Sequence, residues 1–351
     1  MQQSPISLIQ THIPLGQGPW KTFEPFLFCV HHSDDYPAGD HNMAPKASLS
    51  GRQIGSDFSG KDGWSMYHGD QVPGFPQHPH RGFETISIIR QGLVDHSDSL
   101  GATARIGAGD VQWMTAGAGI VHAEMFPLVH AEQKNPTNFF QIWLNLPASH
   151  KMVQPRFKMF WSEEVPRWQH KDEAGKQSMV TVIAGGINGL KPPAPPQDSW
   201  ASNTKSDVAI WIIDLEADAT LVLPAQPKGT QRVIYHVEGG KVDIGGTSLH
   251  PHHGALMVEG FDHPVRAGKN ASVLLVLQAR PIGEPVVQHG PFVMNSAQEI
   301  RQAIYDYQRT RFGGWPWDRP DPSHERKKGR FAKFSDGKEI YPPISSKVKK
   351  D

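Results

Sequence analysis

The sequence predicts an all-β protein built from two β-units in tandem, followed by one short helix near the C-terminus. Glycine and proline are both frequent, at 34 and 30 of 351 residues, a composition typical of short strands joined by tight turns. The apolar residues fall in short β-branched or alternating runs, which form two series separated by a proline-rich stretch. The chain is long enough for two ordinary domains.

The first series begins with a predicted strand at residues 21–32. A polar stretch rich in Gly, Ser and Asp follows at 33–70, and we interpret it as a loop insertion. Loops of this length in compact domains are usually functional or mobile. The remaining strand signals of the series begin at Thr85, Val111, Phe139 and Val180.

The second series follows the proline-rich stretch at 191–199. Paired glycines at 239–240 and 245–246 mark turns between its runs. The runs cover residues 208–215, 220–223, 232–237, 241–244, 255–258 and 271–278. We interpret the two series as two versions of one unit of roughly a hundred residues, within the usual domain size.

One helix is predicted near the end of the chain, where Ser296 and Glu299 form a capping box. Four apolar residues then fall on one helical face: Ile300, Ala303, Ile304 and Tyr307. Beyond Arg311 the chain is basic and aperiodic. We interpret residues 311–351 as a solvated tail that lies outside both units.

Charge and cysteine content limit the classes of function. The net charge is zero, so no global field attracts nucleic acid or membrane, although residues 309–351 carry 12 Lys+Arg against 6 Asp+Glu. The one cysteine, Cys29, allows no internal disulfide and fits a reducing compartment. The sequence shows neither a signal peptide nor an apolar run long enough for a bilayer. We expect a cytoplasmic monomer with no direct binding to nucleic acid or membrane.

Two pairs of residues carry the chemistry that the sequence predicts. His78 and His80 lie two apart, so in an extended segment both rings face one point, and Pro79 stiffens the pair. His122 and Glu124 repeat this spacing downstream. Three imidazoles and a carboxylate suit Fe, Mn, Ni, Cu or Zn rather than Ca or Mg. Four protein ligands on an octahedral ion leave two positions for water, dioxygen or substrate.

A structural interpretation of the same residues stands beside the metal site. The segment from His78 to His80 would then be a surface turn, and His122 a hydrogen-bonded core histidine, because imidazole has many uses besides ligation.

Longer motifs around these residues resemble the pirin family. They are His78-Pro-His80-Arg-Gly-Phe-Glu84-Thr, His96-Ser-Asp98-Ser-x-Gly, and Gly109-Asp110-Val-Gln-Trp113-Met-Thr-Ala-Gly-x-Gly-Ile-x-His122-x-Glu124. The segment 281–295 near the C-terminus is also similar to pirins. The resemblance covers residues 72–150 most strongly and 208–308 more loosely.

The resemblance implies a bicupin fold, in which two jelly-roll β-barrels pack together. Combined with the two series of strand signals, it leads us to expect an N-terminal cupin at 1–147, an inter-barrel connection contributing strands at 148–207, and a C-terminal cupin with the helix at 208–310. Carried over residue by residue, it implies one divalent transition metal, usually Fe²⁺, bound by His78, His80, His122 and Glu124. The insertion at 33–70 and the basic tail go beyond the usual pirin core.

Other residues near the motifs have competing interpretations. The general cupin pattern would make Glu84 a ligand; we favour Glu124, because it shares an arm with His122, and place Glu84 behind the ligands or in an ion pair with Arg81. His96 and Asp98 either orient ligands or form a turn. The remaining candidates are interpreted structurally: His250, His252 and His253 as a turn without a full ligand set, Trp113 and Met114 as barrel lining, and Cys29 as a buried small hydrophobe.

Two functions of different classes follow. The first is a dioxygenase of quercetinase type, in which the metal binds the deprotonated oxygens of a flavonol-like aromatic and Glu124 doubles as a general base. The second is a regulatory protein whose metal senses redox state or metal availability and changes the surface offered to a protein partner. Open coordination positions favour the first function, and a closed shell favours the second.

Overall fold

The computed structural model describes residues 7–16 and 18–344, and most of the regular structure in them is β. It divides the chain into two compact units. The first unit comprises Val30–Glu163 and Glu284–Asp351, and the second comprises Met1–Cys29 and Glu164–Gly283. The predicted all-β class with two β-units is confirmed.

The first unit contains a five-stranded and a six-stranded antiparallel sheet, in the orders β10-β7-β4-β9-β2 and β24-β23-β6-β5-β8-β3, and a separate pair, β21-β22. Its strands are β2 (Phe26–Tyr36, which begins in the range of the second unit), β3 (Gly74–His80), β4 (Phe83–Gln91), β5 (Leu93–Asp98), β6 (Thr103–Gly107), β7 (Val111–Thr115), β8 (Ile120–Met125), β9 (Asn135–Asn145), β10 (Arg156–Phe160), β21 (Val287–His289), β22 (Phe292–Met294), β23 (Phe331–Lys333) and β24 (Glu339–Ile340). Buried side chains from both larger sheets form one apolar core, as expected for a sandwich-type barrel.

The second unit contains a seven-stranded and a four-stranded sheet, in the orders β1-β18-β15-β20-β13-β12-β11 and β14-β19-β16-β17. Its strands are β1 (Ile9–Pro14), β11 (Arg167–Lys171), β12 (Gln177–Ala184), β13 (Ala209–Leu215), β14 (Thr220–Leu223), β15 (Gln231–Gly239), β16 (Val242–Ile244), β17 (Thr247–Leu249), β18 (His253–Met257), β19 (His263–Ala267) and β20 (Ser272–Ala279). Its core is a separate apolar cluster between the two sheets.

The predicted helix is confirmed as α1 (Ala297–Thr310), in the first unit. Ser296 Oγ accepts from the Glu299 backbone N–H at 3.2 Å, which is the N-cap half of the predicted capping box. The Glu299 carboxylate differs from the standard box, because its Oε2 accepts from the Asn295 backbone N–H at 3.0 Å and from the Ser296 hydroxyl at 2.9 Å. The predicted apolar face packs into a small cluster with Phe292 and Met294 of β22. Short 3₁₀ turns occur at Lys61–Gly63, Ala148–His150, Trp200–Ser202 and Arg311–Gly313.

The division of the chain differs from the sequence-based boundaries at both ends. Residues 1–147 do not form one unit, because β1 pairs with β18 of the second unit. The connection at 148–207 contributes β10 to the first unit and β11 and β12 to the second. Pairing between strands far apart in sequence leaves no local pattern, so these boundaries could not be read from periodicity.

The tail also differs from its predicted form in its described part. Residues 331–333 form β23, which pairs with β6 of the first unit, and Arg330 binds Asp110 and Glu163 at 2.6 Å each. The described tail is therefore part of the first β-unit rather than a solvated extension beyond it.

Candidate metal centre

Two neighbouring strands of the six-stranded sheet carry the predicted ligands. In the antiparallel pairing of β3 with β8, His78 lies directly opposite His122, and His80 opposite Ile120. An irregularity between Phe75 and His78 shifts the register of the pair. Because side chains alternate along a strand, His80 faces the same side as His78.

The three histidine rings converge. One ring nitrogen from each of His78, His80 and His122 lies within 4.8 Å of the others. The ring centroids are 4.4 Å apart for His78 and His122, 4.8 Å for His78 and His80, and 4.9 Å for His80 and His122. Of the described His, Cys, Asp and Glu residues, these three form the group with the spacing for an ion.

The chemistry of the rings fits a metal. Both ring nitrogens of His122 are buried without a hydrogen-bond partner, and those of His80 have no hydrogen bond of normal geometry. Polar atoms buried in this way are costly, and a metal bound between the rings would offset that cost. Burial and the neighbouring histidines hold the pKa of His80 and His122 well below the usual value, which keeps them in the neutral form that binds metals.

His78 is the half-buried member of the group. Its Nδ1 donates to the carbonyl of Pro76 at 2.8 Å, which leaves Nε2 as the ligand atom. Burial lowers its pKa, although the Pro76 hydrogen bond and Glu124 oppose that shift. The surface interpretation of the segment from His78 to His80 is wrong, because this segment lies in a strand beside His122.

Glu124 lies next to the histidines with both carboxylate oxygens engaged. Its Oε2 is 3.8 Å from His122 Nε2 and accepts from Gln141 Nε2 at 2.7 Å. Its Oε1 accepts from the Ser87 hydroxyl at 3.2 Å. The carboxylate is thus beside the cluster of three rings, oriented by donors from β9 and β4.

Gln141 and Trp143 of β9 orient Glu124, and the sequence did not predict this role for them. Trp143 Nε1 donates to Gln141 Oε1 at 3.2 Å, and since indole N–H is only a donor, it turns the amide so that Nε2 faces Glu124. The Trp143 ring also packs edge-on against His80 at 5.2 Å. The available signal was a single glutamine within the apolar run of β9 from Phe139 to Leu144.

Glu84 lies outside the group of three histidines. Its side chain is fully buried and accepts from the Thr115 hydroxyl at 2.8 Å, between paired residues of β4 and β7. Arg81 instead pairs with Asp306 of α1 at 2.8 Å and donates to the Ala118 carbonyl at 2.7 Å.

His96 and Asp98 lie on β5, opposite Glu124 and His122 respectively. The His96 ring is 5.5 Å from that of His122, and its Nε2 is 3.1 Å from Asp98 Oδ2. Asp98 Oδ1 also accepts from the backbone N–H groups of Leu100 and Ala102. The pair therefore lies beside the proposed ligand His122 and also stabilises the turn that follows β5.

The remaining candidates have structural surroundings. Trp113 and Met114 are buried in β7, and Cys29 is fully buried, as predicted. His252 lies in a turn with φ 57°, which confirms the predicted turn there, whereas His253 begins β18 and its Nδ1 donates to the Pro251 carbonyl at 2.9 Å. No helix in residues 7–16 and 18–344 has the length and hydrophobicity needed to cross a bilayer.

Comparison with family models gives two matches. The model described as Pirin matches residues 14–144, and the model described as Pirin C-terminal cupin domain matches residues 210–313. Together they cover most of the chain, and the first includes all four predicted ligands.

Individual relatives agree with these two family models. A Pseudomonas aeruginosa protein whose name marks it as a provisional quercetin 2,3-dioxygenase is 40% identical over 246 residues, which are 69% of this chain and 80% of the relative. Human Pirin is 37% identical over 252 residues, 70% of this chain and 80% of the relative. The crystal structure of quercetin 2,3-dioxygenase from Acinetobacter baumannii superposes with a TM-score of 0.68 at 28% identity, covering 87% of this chain and 98% of the other.

Proposed function

The chain belongs to the pirin family, and from this premise we propose that it is a mononuclear metal-dependent dioxygenase of quercetinase type acting on a flavonol-like aromatic. The observation that carries the proposal is the convergence of three imidazoles, two of which, His80 and His122, have buried ring nitrogens without a hydrogen bond of normal geometry. The names of the Pseudomonas and Acinetobacter relatives support the choice of reaction.

The proposed ligands are His78, His80 and His122, with Glu124 as the fourth. The separation of 3.8 Å between Glu124 Oε2 and His122 Nε2 is compatible with two ligands of one ion. Fe²⁺ is the proposed metal, because dioxygen chemistry needs a redox-active ion, which Zn²⁺ is not. The donor set would also accept Mn, Ni or Cu.

When bound, the metal supplies a Lewis acid that acidifies a substrate hydroxyl and a redox centre for dioxygen. Glu124 lies where it would accept the proton of that hydroxyl. Gln141 and Ser87 hold the carboxylate in place through their two hydrogen bonds. The burial of His80 and His122, 3% and 1% exposed, excludes water from the inner side of the site.

The test is metal analysis of the purified protein, followed by oxygen uptake with flavonols. We expect about one equivalent of metal and oxygen consumption that both disappear in His122→Ala. The matched control is His250→Ala, which changes an exposed histidine of the second unit and should leave both unchanged. A metal-loaded protein that consumes no oxygen with flavonols or catechols would contradict the proposed dioxygenase activity and favour the regulatory function instead.

A further inference from the structure

The insertion at 33–70 is held together by buried polar contacts. The buried carboxylate of Asp34 accepts from the Ser65 backbone N–H at 2.9 Å and the Tyr67 hydroxyl at 2.8 Å. Arg52 pairs with Asp57 at 2.9 Å, both side chains being buried. The Arg52 guanidinium also lies over the Trp64 ring, 3.4 Å from its centroid. These interactions fix the backbone that follows them.

This fixed backbone presents an aromatic surface beside the metal centre. Phe58 is 55% exposed, and its ring lies 5.1 Å from that of His68 and 6.4 Å from that of Phe75. Phe75 lies in β3, three residues before His78, and its ring lies 5.6 Å from that of His68 and 6.3 Å from that of His78. We call Phe58, His68 and Phe75 the aromatic wall.

The wall lies on the side from which the metal centre can be reached. Among the three histidines, His80 and His122 are buried and His78 is half-buried. Phe75, in contact with His78, is also half-buried, and Phe58 and His68 are exposed. Exposure therefore increases outward from the ligand along one series of touching rings.

His68 gives this apolar surface one polar group of defined character. Its Nδ1 is 2.8 Å from the Gly55 carbonyl, and a carbonyl only accepts, so Nδ1 carries the proton. In the neutral ring Nε2 is then an acceptor, suited to a hydroxyl group on a ligand. A flat aromatic would stack on Phe58 or Phe75 and direct a hydroxyl to this nitrogen.

We propose that the aromatic wall is the outer part of the substrate site, and that His68 selects flavonols carrying a hydroxyl on the ring distant from the metal. This inference rests on the proposed function, and it assigns specificity to the insertion. Phe58 and Phe75 contribute stacking to any flavonol, whereas His68 contributes only where the distal hydroxyl is present.

The experiment measures the dissociation constants of quercetin and 3-hydroxyflavone for protein loaded with Zn²⁺, which binds without turnover. Both compounds carry the chelating hydroxyl and carbonyl groups, but only quercetin has further hydroxyls. We expect His68→Ala to raise the dissociation constant of quercetin about five-fold and that of 3-hydroxyflavone less than two-fold. Phe58→Ala should weaken both about three- to ten-fold, and metal content should stay at wild type in both variants.

Two matched controls distinguish the effect of the aromatic wall on binding from general effects of replacing a side chain with alanine. His41→Ala removes a highly exposed histidine of the same insertion, and Phe261→Ala removes an exposed phenylalanine of the second unit. Neither should change affinity.

The outcomes separate this inference from the proposed function. Wild-type protein that binds both flavonols, with His68→Ala affecting them equally or not at all, would overturn the role of His68 and leave the proposed function standing. Unchanged affinity in Phe58→Ala would likewise overturn the wall. Wild-type, metal-loaded protein that binds neither flavonol would overturn both proposals together.

Discussion

At the residue scale, hydrogen bonds to Glu124 decide how well the site holds a metal. Gln141 donates at 2.7 Å and is itself oriented by Trp143. We expect Gln141→Met, which keeps the length but removes the donor, to weaken metal affinity about 10–100-fold. Competition with a chelator of known affinity measures this, and Gln169→Met on an exposed strand position is the control. Equal affinity in the two variants would show that Glu124 needs no such support.

The two glutamates of the motif should respond differently to the same change. Glu124→Gln should lose most of the bound metal, because it removes the proposed carboxylate ligand. Glu84→Gln should keep most of it, since Glu84 accepts from Thr115 and lies outside the histidine group. Metal content after purification is the measurement. Loss of metal in Glu84→Gln alone would reverse the assignment.

The sequence predicted the histidine pairs because their geometry is local. Spacing of two in an extended segment places two side chains on one face, whatever the rest of the chain does. Gln141 could not be found in this way, because β9 belongs to the other large sheet. Its contact with Glu124 depends on how the two sheets face each other, which no short pattern specifies.

At the element scale, the tail completes the sheet that bears the ligands. Arg105, buried and paired with Asp95 at 2.7 Å, donates to the carbonyls of His324, Glu325 and Lys328. The Gln77 backbone N–H, next to His78, donates to the Pro320 carbonyl at 2.7 Å. The composition of the tail did not reveal these contacts, because the tail contributes backbone carbonyls and their partners are side chains far away in the sequence.

Removal of the tail should therefore damage the metal centre, contrary to what its composition suggests. A chain ending at Gly314 loses β23, β24 and the three carbonyl partners of Arg105, and we expect it to lose metal and thermal stability. Arg326→Ala, which removes donors to the Leu128 and Val129 carbonyls, should cost about 2 kcal/mol. Lys327→Ala is the exposed control. Wild-type metal content and melting temperature in the truncated chain would contradict this role.

At the scale of the whole molecule, the all-β bicupin fold with a C-terminal helix is confirmed by the strands, the family models and the Acinetobacter structure. Its stability should fall in mild acid. Burial, with a smaller contribution from His31, lowers the pKa of His32 to about 3. The His32 ring is stacked on Phe139 at 4.4 Å within the first unit.

The direction of this pH dependence follows from the difference in proton uptake between the unfolded and the folded chain. Below about pH 6.5 the unfolded chain protonates this histidine and the folded chain does not, so stability falls as pH decreases. The expected loss between pH 7 and pH 5 is about 2 kcal/mol. His32→Phe should lessen this loss in denaturant titrations of the metal-free protein. An identical pH dependence in the variant would assign the loss to other groups.

The central claim is that one metal ion binds where His78, His80 and His122 converge, with Glu124 as the fourth ligand. Anomalous diffraction at the absorption edge of the bound metal tests it most directly. We expect one strong peak with three nitrogens and one Glu124 oxygen at about 2.0–2.3 Å. A peak elsewhere, an equally occupied site near His250 and His252, or a metal bound without Glu124 would contradict the assignment.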